Sequence, residues 1–336
     1  MAKYIIKRVL MGLVVLFGVT TITFLIAHVL PSDPALSWAG PKATAEQVAA
    51  ARIELGLDKP FVIQYVSYIK NLLHGDLGVS YVTRRPIITE MKEAIPATLE
   101  LVFYSIVIGV IVGIVLGVLS AKYKNKLGDH LVRFFAIGSV SIPSFVLAMV
   151  LQLIFYGKLG VLPLGGRLSA TTEIMYQIPN ITGWLSIDCL ITGNFGLLKE
   201  AFIHLLLPAI PIAVYPAGSV ARMTRSKLVE VMNEDYILAE RSYGISEKHV
   251  LWKGALKNTI GTTATVTALS VGYTLVNTFL IESIFQWPGL GKFMSDAVTS
   301  LNYPAIMGAT LFSTVAYLLL NLIADIIVAL DPRVRV

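Results

Sequence analysis

The sequence predicts an all-α fold that crosses a membrane six times. Hydrophobic residues make up 55% of the 336, and charged residues only 14%. A water-soluble domain carries roughly a quarter charged residues, so a chain this apolar cannot cover itself with wettable surface. Six stretches free of Asp, Glu, Lys and Arg are long enough to cross: 9–30, 101–121, 134–157, 201–221, 258–281 and the later part of 297–324. About 20 residues at a rise of 1.5 Å cover the hydrocarbon. The formal charge of +6 forms no concentrated basic face. That argues against a nucleic-acid partner and suits cationic loops held against anionic lipid.

Span 1 follows Lys3, Lys7 and Arg8, as a signal peptide would. Its run is too long for a signal core and no small-x-small cleavage site follows, so it is expected to stay as a helix. Residues 31–97 form the largest segment outside the spans, and no soluble domain is expected. "TAEQ" at 44–47 reads as a capping box opening a helix that Gly56 stops. A second helix starts near Pro60 and carries Ile63, Val66, Ile69 and Leu73 at helical spacing before Gly75. The pair can lie on the membrane or receive a soluble partner; both readings stand.

Span 2 carries Gly109, Gly113 and Gly117, a doubled small-xxx-small face that lets two helix backbones approach closely. Pro143 in span 3 and Pro208, Pro211 and Pro216 in span 4 are kinks or hinges. The stretch 174–198 is nearly uncharged but is broken by Pro179, Asn180, Asp188, Gly193 and Asn194, so it is expected to be a loop outside the membrane. In span 5, Thr263, Thr267, Ser270, Thr274 and Asn277 alternate spacings of four and three, one polar stripe on one helix face. The stripe lines a hydrated passage, or its groups bond back to their own helix or a neighbour. The organisation expected is 1–30, 31–97 and a five-helix core over 98–336 that includes the polar loop 223–258.

Orientation follows Lys and Arg in short flanks. With the N-terminus inside, the inner segments hold Lys122, Lys124, Lys126 and Arg133, then Arg222, Arg225, Lys227, Arg241, Lys248, Lys253 and Lys257, then Arg333 and Arg335. Short outer loops hold only Lys158, Arg167, Lys199 and Lys292, and the first outer segment is too long for the rule to apply. Six spans put both termini in the cytoplasm. Glu100, Glu282 and Asp325 sit at span ends. A charge at mid-bilayer costs about 2.5 kcal/mol or more and is kept for use; its absence counts against a proton- or sodium-coupled carrier.

No chemistry of bond breaking is visible. His28, His74, His130, His204 and His249 are scattered without metal-ligand spacing, and neither HExxH nor GxSxG occurs. "GLGK" at 289–292 fails as a phosphate loop, because Gln286 stands where its first glycine belongs and Phe293 follows the lysine. The lone Cys189 excludes an internal disulfide and reads as inert filling. The chain is expected to be no enzyme and to hold no metal or cofactor.

The polar run between spans 4 and 5 is the most distinctive stretch. It reads as a helix over roughly Arg225 to Tyr243, stopped by Gly244, then a second helix capped by Ser246 and running toward Asn258. Glu234, Asp235, Glu240 and Glu247 would be repelled by anionic lipid, so a mixed-sign knob suits a protein groove better.

This run resembles the "EAA" loop of ABC-importer permeases, and more closely the dipeptide/oligopeptide/nickel subclass. Glu234, Asp235, Tyr236, Ile237, Arg241, Gly244, Ile245, Ser246 and Glu247 match that subclass, and Ala255, Leu256 and Asn258 match its continuation. So do "ARMTRSKLVEV" at 221–231, "PSDP" at 31–34, "ELGLDKP" at 54–60, "GDLG" at 75–78, "WPGLG" at 287–291 and "DPRVR" at 331–335. The general motif's Glu and second Ala fall on Leu238 and Glu240, its final Pro falls on Lys257, and the subclass usually has Ala at 240.

The resemblance implies a type I importer (MetI-like) permease fold in the cytoplasmic membrane. It implies a homologous permease partner, two cytoplasmic ATPase subunits that bind ATP and Mg, and a substrate-binding protein outside. Glu234, Asp235, Tyr236, Ala239, Glu240, Arg241, Tyr243, Gly244, Ser246 and Glu247 would couple to the ATPase. Substrates of similar permeases are peptides, oligosaccharides, nickel or opines, and peptides are the reading adopted. "WPGLG" touches the binding protein or anchors Trp287 at the interface. The rivals are a carrier or channel that works alone and a scaffold that transports nothing.

Overall fold

The computed structural model describes residues 2–29, 33–40, 42–178 and 180–330. Pro31, Ser32, Pro179 and the run 331–335 lie outside them. In chain order the helices are α1 (Ala2–Val29), α2 (Pro34–Ala39), α3 (Ala45–Glu54), α4 (Phe61–Leu73), α5 (Ile87–Lys122), α6 (Leu127–Ser141), α7 (Ser144–Gln152), α8 (Ala170–Met175), α9 (Leu185–Ile191), α10 (Phe195–Val231), α11 (Asp235–Ser242), α12 (Glu247–His249), α13 (Leu256–Ile284), α14 (Leu290–Thr299) and α15 (Tyr303–Leu330). Among the described residues the only strand-like pairing is one bridge, Val79 to Pro86. The stretch 174–198 is less of a loop than its breakers suggest, since α8, α9 and the start of α10 fall in it.

Two compact units emerge, residues 1–98 with 288–316, and residues 99–287 with 317–336. In the first, the capping box forms as its sequence dictates. Thr44 Oγ1 accepts from the Gln47 N–H at 3.3 Å, and Gln47 Oε1 accepts from the Thr44 N–H at 2.9 Å. Gly56 ends α3 at φ +67°. Asp33 caps α2 and pairs with Arg52 of α3 at 2.6 Å. Asn302 ties the segment before α15 to residues 80–81, accepting from the Tyr81 N–H at 3.1 Å and donating to Ser80 Oγ at 2.8 Å.

The second unit is built on α10. A Cβ on Gly109 would meet the Ala213 carbonyl and Pro216 Cγ, each at 2.8 Å. One on Gly113 would meet Val220 and the Ala217 carbonyl, and one on Gly117 would meet Thr224 and the Ala221 carbonyl. At all three glycines the α10 backbone comes too close for a side chain. Both sets of numbers rise together, so α5 and α10 run parallel.

That parallelism fixes the span count. Among the described residues five helices are long and apolar enough to cross, and Leu127–Ser141 with Ser144–Lys158 qualify only as a pair bent by 105°. Two parallel crossings need a return crossing between them. The bent pair supplies it. Asp129 at its start is bonded to Arg225 near the C-terminal end of α10. The turn that follows it reaches the other end, where His204 Nδ1 lies 2.9 Å from the Gly165 carbonyl. The total is six, as the sequence predicts.

The bend at Pro143 is sharper than a kink, and α10 takes the other course, absorbing Pro208, Pro211 and Pro216 in one 37-residue helix. Those three prolines are buried, so the carbonyls they leave without a partner are packed against neighbouring helices and the helix continues through them.

Candidate functional site

The polar run folds as a helix–turn–helix that is anchored at both ends. α10 does not continue to Tyr243. It ends at Val231, and the chain restarts at Glu234 in extended conformation to open α11. Ile237, one of the residues that match the permease subclass but not one of those expected to couple, is the anchor. It is fully buried in one cluster with Val118, Leu228, Val231, Val250 and Ala255. The sequence offers Ile237 and Leu238 side by side inside a charged run, and only the fold shows that Ile237 is buried while Leu238 is exposed.

Gly244 follows the Tyr243 cap with φ +75°, and its N–H donates to the Arg241 carbonyl at 2.9 Å. Arg241 Nε pairs with Glu247 Oε1 at 2.8 Å, closing the turn from outside. Ser246 sits at the N-cap of α12 but makes no side-chain cap bond. α12 passes through a π-helical turn, Val250–Ala255, into α13 without a break. The second helix is thus the beginning of span 5, and not a separate piece. Asn258 Nδ2 donates to the Tyr236 hydroxyl at 2.7 Å across the turn.

Glu234, Asp235, Tyr236, Ala239, Tyr243, Gly244, Ser246 and Glu247 are exposed, and Tyr243 at the tip is 86% exposed. Glu240 and Arg241 are half-buried. Glu240 turns inward, and its Oε2 is buried without a hydrogen-bond partner. A Cβ on Gly254 would lie 2.5 Å from that oxygen, so the glycine makes room for this unusual acid.

A second polar cluster stiffens the same end of α10. Asp129 is fully buried and takes two bonds from Arg225, 2.6 Å from Nε and 2.7 Å from Nη2. Its carboxylate also accepts from Ser120 Oγ at 2.6 Å and from the Asn125 N–H at 2.9 Å. The opposite end has its own network. Glu100, 1% exposed, accepts from Arg167, the Ser186 hydroxyl and N–H, and the Leu185 N–H. Trp287 is buried beneath Arg167, at 1% exposure, so it is no surface anchor. Asp188 of α9 is pushed up by burial, but bonds from the Thr182 hydroxyl and the Thr182, Ile181 and Gly183 N–H groups outweigh this and hold it below the usual carboxylate range. Burial pushes the neighbouring Cys189 thiol up, which suits inert filling.

The stripe on α13 divides. Each group bonds back to a carbonyl four residues earlier: Thr263 to Thr259, Thr267 to Thr263, Ser270 to Val266, Thr274 to Ser270 and Asn277 to Tyr273. Thr263 also meets Thr224 of α10 at 3.2 Å. Thr274 and Asn277 line a cavity of 320 Å³ with Tyr215, Tyr273 and the Pro143 bend. Ser270 lines another, of 370 Å³, with Tyr215, Ser219, Arg222 and Ser226. The Tyr215 and Tyr273 rings stand 4.0 Å apart, and Tyr215 borders both cavities.

Comparison with known proteins decides the family. Residues 113–336 match the binding-protein-dependent transport system inner membrane component family, and residues 1–102 match the N-terminal region of such membrane components. The chain belongs to this permease family. It is similar to the probable D,D-dipeptide transport system permease protein DdpB of Escherichia coli K12, 39% identical over 98% of this chain and 97% of the relative. It is similar to the dipeptide transport system permease protein DppB of Alkalihalophilus pseudofirmus, 36% identical over the whole of both. It is also similar to the glutathione transport system permease protein GsiC of Escherichia coli O6:H1, 34% identical over 100% of this chain and 99% of the relative.

The permease is therefore a multi-pass protein of the inner membrane with a type I importer fold, a transport subunit whose family works with an ATPase and a binding protein. No cluster of metal-ligating side chains occurs among its described residues. Gly244→Ile is expected to abolish transport while leaving membrane insertion intact. Nothing lies within 4 Å of an added Cβ there, so the whole cost is the left-handed backbone, about 1–3 kcal/mol for a β-branched residue. Gly244→Asn, which tolerates that conformation, should retain uptake; equal uptake by all three proteins would remove Gly244 from the turn's function.

Proposed function

We propose that the permease carries di- or oligopeptides into the cell, paired with a homologous permease and driven by two ATPase subunits on the cytoplasmic face. What supports the substrate is the run of peptide permeases to which the chain is similar over its full length. What supports the drive is the turn itself: an exposed mixed-charge helix, α11, fixed through Ile237 to the ends of α5 and α10 and joined by the Gly244 turn to the run that continues as α13.

α11 and Gly244 seat in a cleft of one ATPase subunit. ATP and Mg bind on those subunits. When ATP closes them, the two coupling helices of the permease pair draw together and the pore opens outward to the binding protein. The chain breaks no bond and passes on a rigid-body movement, an equilibrium biased by ATP. Both termini face the cytoplasm, consistent with the basic residues around 122–133 and 222–257. Ser270, Thr274 and Asn277, with Tyr215 and Tyr273, line the part of the route that this chain contributes.

A photocrosslinker at Tyr243 tests the coupling, together with uptake of labelled peptides in the same cells. Adducts to a nucleotide-binding subunit and ATP-dependent peptide uptake are expected. Absence of that adduct sinks the coupling assignment. Uptake of nickel, opine or oligosaccharide in place of peptide sinks the substrate assignment, and uptake by the purified chain without nucleotide sinks the importer reading altogether.

A further inference from the structure

The cavity of 370 Å³ is walled by α10 on one side and α13 on the other. From α10 it takes Tyr215, Ser219, Arg222 and Ser226, spaced four, three and four residues apart, which is one helix face. Ser270, opposite, is satisfied by the Val266 carbonyl at 2.8 Å. The α10 groups are not satisfied. Among the described residues, the hydroxyls of Tyr215, Ser219 and Ser226 and the guanidinium of Arg222 make no hydrogen bond or ion pair. Their neighbours on the same helix do. Arg225 is held by Asp129 at 2.6 Å, Lys227 pairs with Glu230, and Thr224 meets Thr263 at 3.2 Å. Ser219 is buried as well, where an unmade hydrogen bond costs most.

Charge is placed as selectively. Arg222 is the only charged residue among those lining this cavity. The neighbouring cavity of 320 Å³, which shares Tyr215 with it, is lined by none. Along these two hollows, among the described residues, a cargo meets one fixed charge, and it is positive. That charge sits just past the inner end of the apolar run 201–221.

We propose that this face of α10 receives the C-terminal carboxylate of the peptide, with Arg222 supplying the charge and Ser219 and Ser226 the flanking hydroxyl donors. A guanidinium binds a carboxylate through two parallel N–H bonds, and hydroxyls one turn to either side can donate to the same group. Tyr215, about 6 Å along the helix from Ser219, leads from this site into the neighbouring cavity, where the rest of the peptide finds Tyr273 and Asn277. Neither an oligosaccharide nor a bare metal ion carries the group that this face would hold. The inference rests on the peptide reading and deepens it, by making Arg222 a residue that selects cargo within the route itself.

A Ser226→Cys variant of the assembled transporter tests it, since the chain's own Cys189 is fully buried. The rate at which a neutral maleimide labels position 226 is measured with added dialanine, or with its C-terminal amide. The parent transporter treated alike is the control. The free acid should slow labelling several-fold more than the amide does. Adding Arg222→Gln should remove that difference while leaving the rate without peptide unchanged, which shows that the fold is intact. Equal protection by acid and amide, no protection by either, or an acid preference that survives Arg222→Gln overturns the proposal. The measurement is made in detergent and again in nanodiscs containing anionic lipid. Loss of the acid's protection in those nanodiscs would mean that headgroups occupy Arg222, and overturns it too. Uptake of dialanine by the parent transporter with its binding protein reports on the cargo separately. No uptake overturns the peptide reading and this site with it, whereas uptake without acid-specific protection overturns this site alone.

Discussion

Asp129→Ala is expected to destabilise the folded permease by about 3–5 kcal/mol, the usual cost of leaving one partner of a buried ion pair alone. Arg225 would lose both its bonds, and the Ser120 hydroxyl and Asn125 N–H would lose their acceptor. Because Arg225 keeps 21% of its side-chain surface, water offsets part of the loss and the value should fall at the low end. Asp129→Asn retains an acceptor for Ser120 and Asn125 and should cost less. Unfolding titrations in detergent, with uptake measured alongside, check both. A stability within about 1 kcal/mol of the parent for Asp129→Ala would remove the pair from the list of what holds α6 to α10.

Gly113→Leu is expected to have the next largest effect. Its Cβ would lie 2.7 Å from Val220 Cβ and 2.8 Å from the Ala217 carbonyl, and the carbonyl belongs to the helix backbone and cannot move aside. α5 must separate from α10, at a cost of about 1–3 kcal/mol or more. Gly138→Leu is the control, since nothing lies within 4 Å of a Cβ there. The glycine face should lower the midpoint of thermal unfolding for Gly113→Leu and leave it near the parent's for Gly138→Leu. Equal midpoints would mean that the two helices tolerate separation.

Much of this fold is legible in the sequence because it is written in local terms. Apolar runs of about 20 residues give the spans, a four-residue repeat of glycine gives the α5 packing face, and Gly244 announces a left-handed turn. What the sequence hides is set by distant partners. Asp129 reads as one more loop charge until Arg225, 96 residues away, meets it. Glu100 reads as a span-end acid until Arg167 and Ser186 close around it. Proline is ambiguous for the same reason. Pro143 is exposed and bends its span by 105°, while Pro208, Pro211 and Pro216 are buried in a helix that stays whole. The polar stripe on α13 shares one period, but its members face a neighbour in one place and a cavity in another, and periodicity carries no information about which.

The uninterrupted run from Glu247 to Ile284 has a geometric consequence. Its 38 residues make a strut about 57 Å long, and a rod of that kind transmits torsion as well as thrust. A small twist applied where Arg241 grips Glu247 would reappear at Asn277 as a change in which side chains look into the hollow beside Pro143.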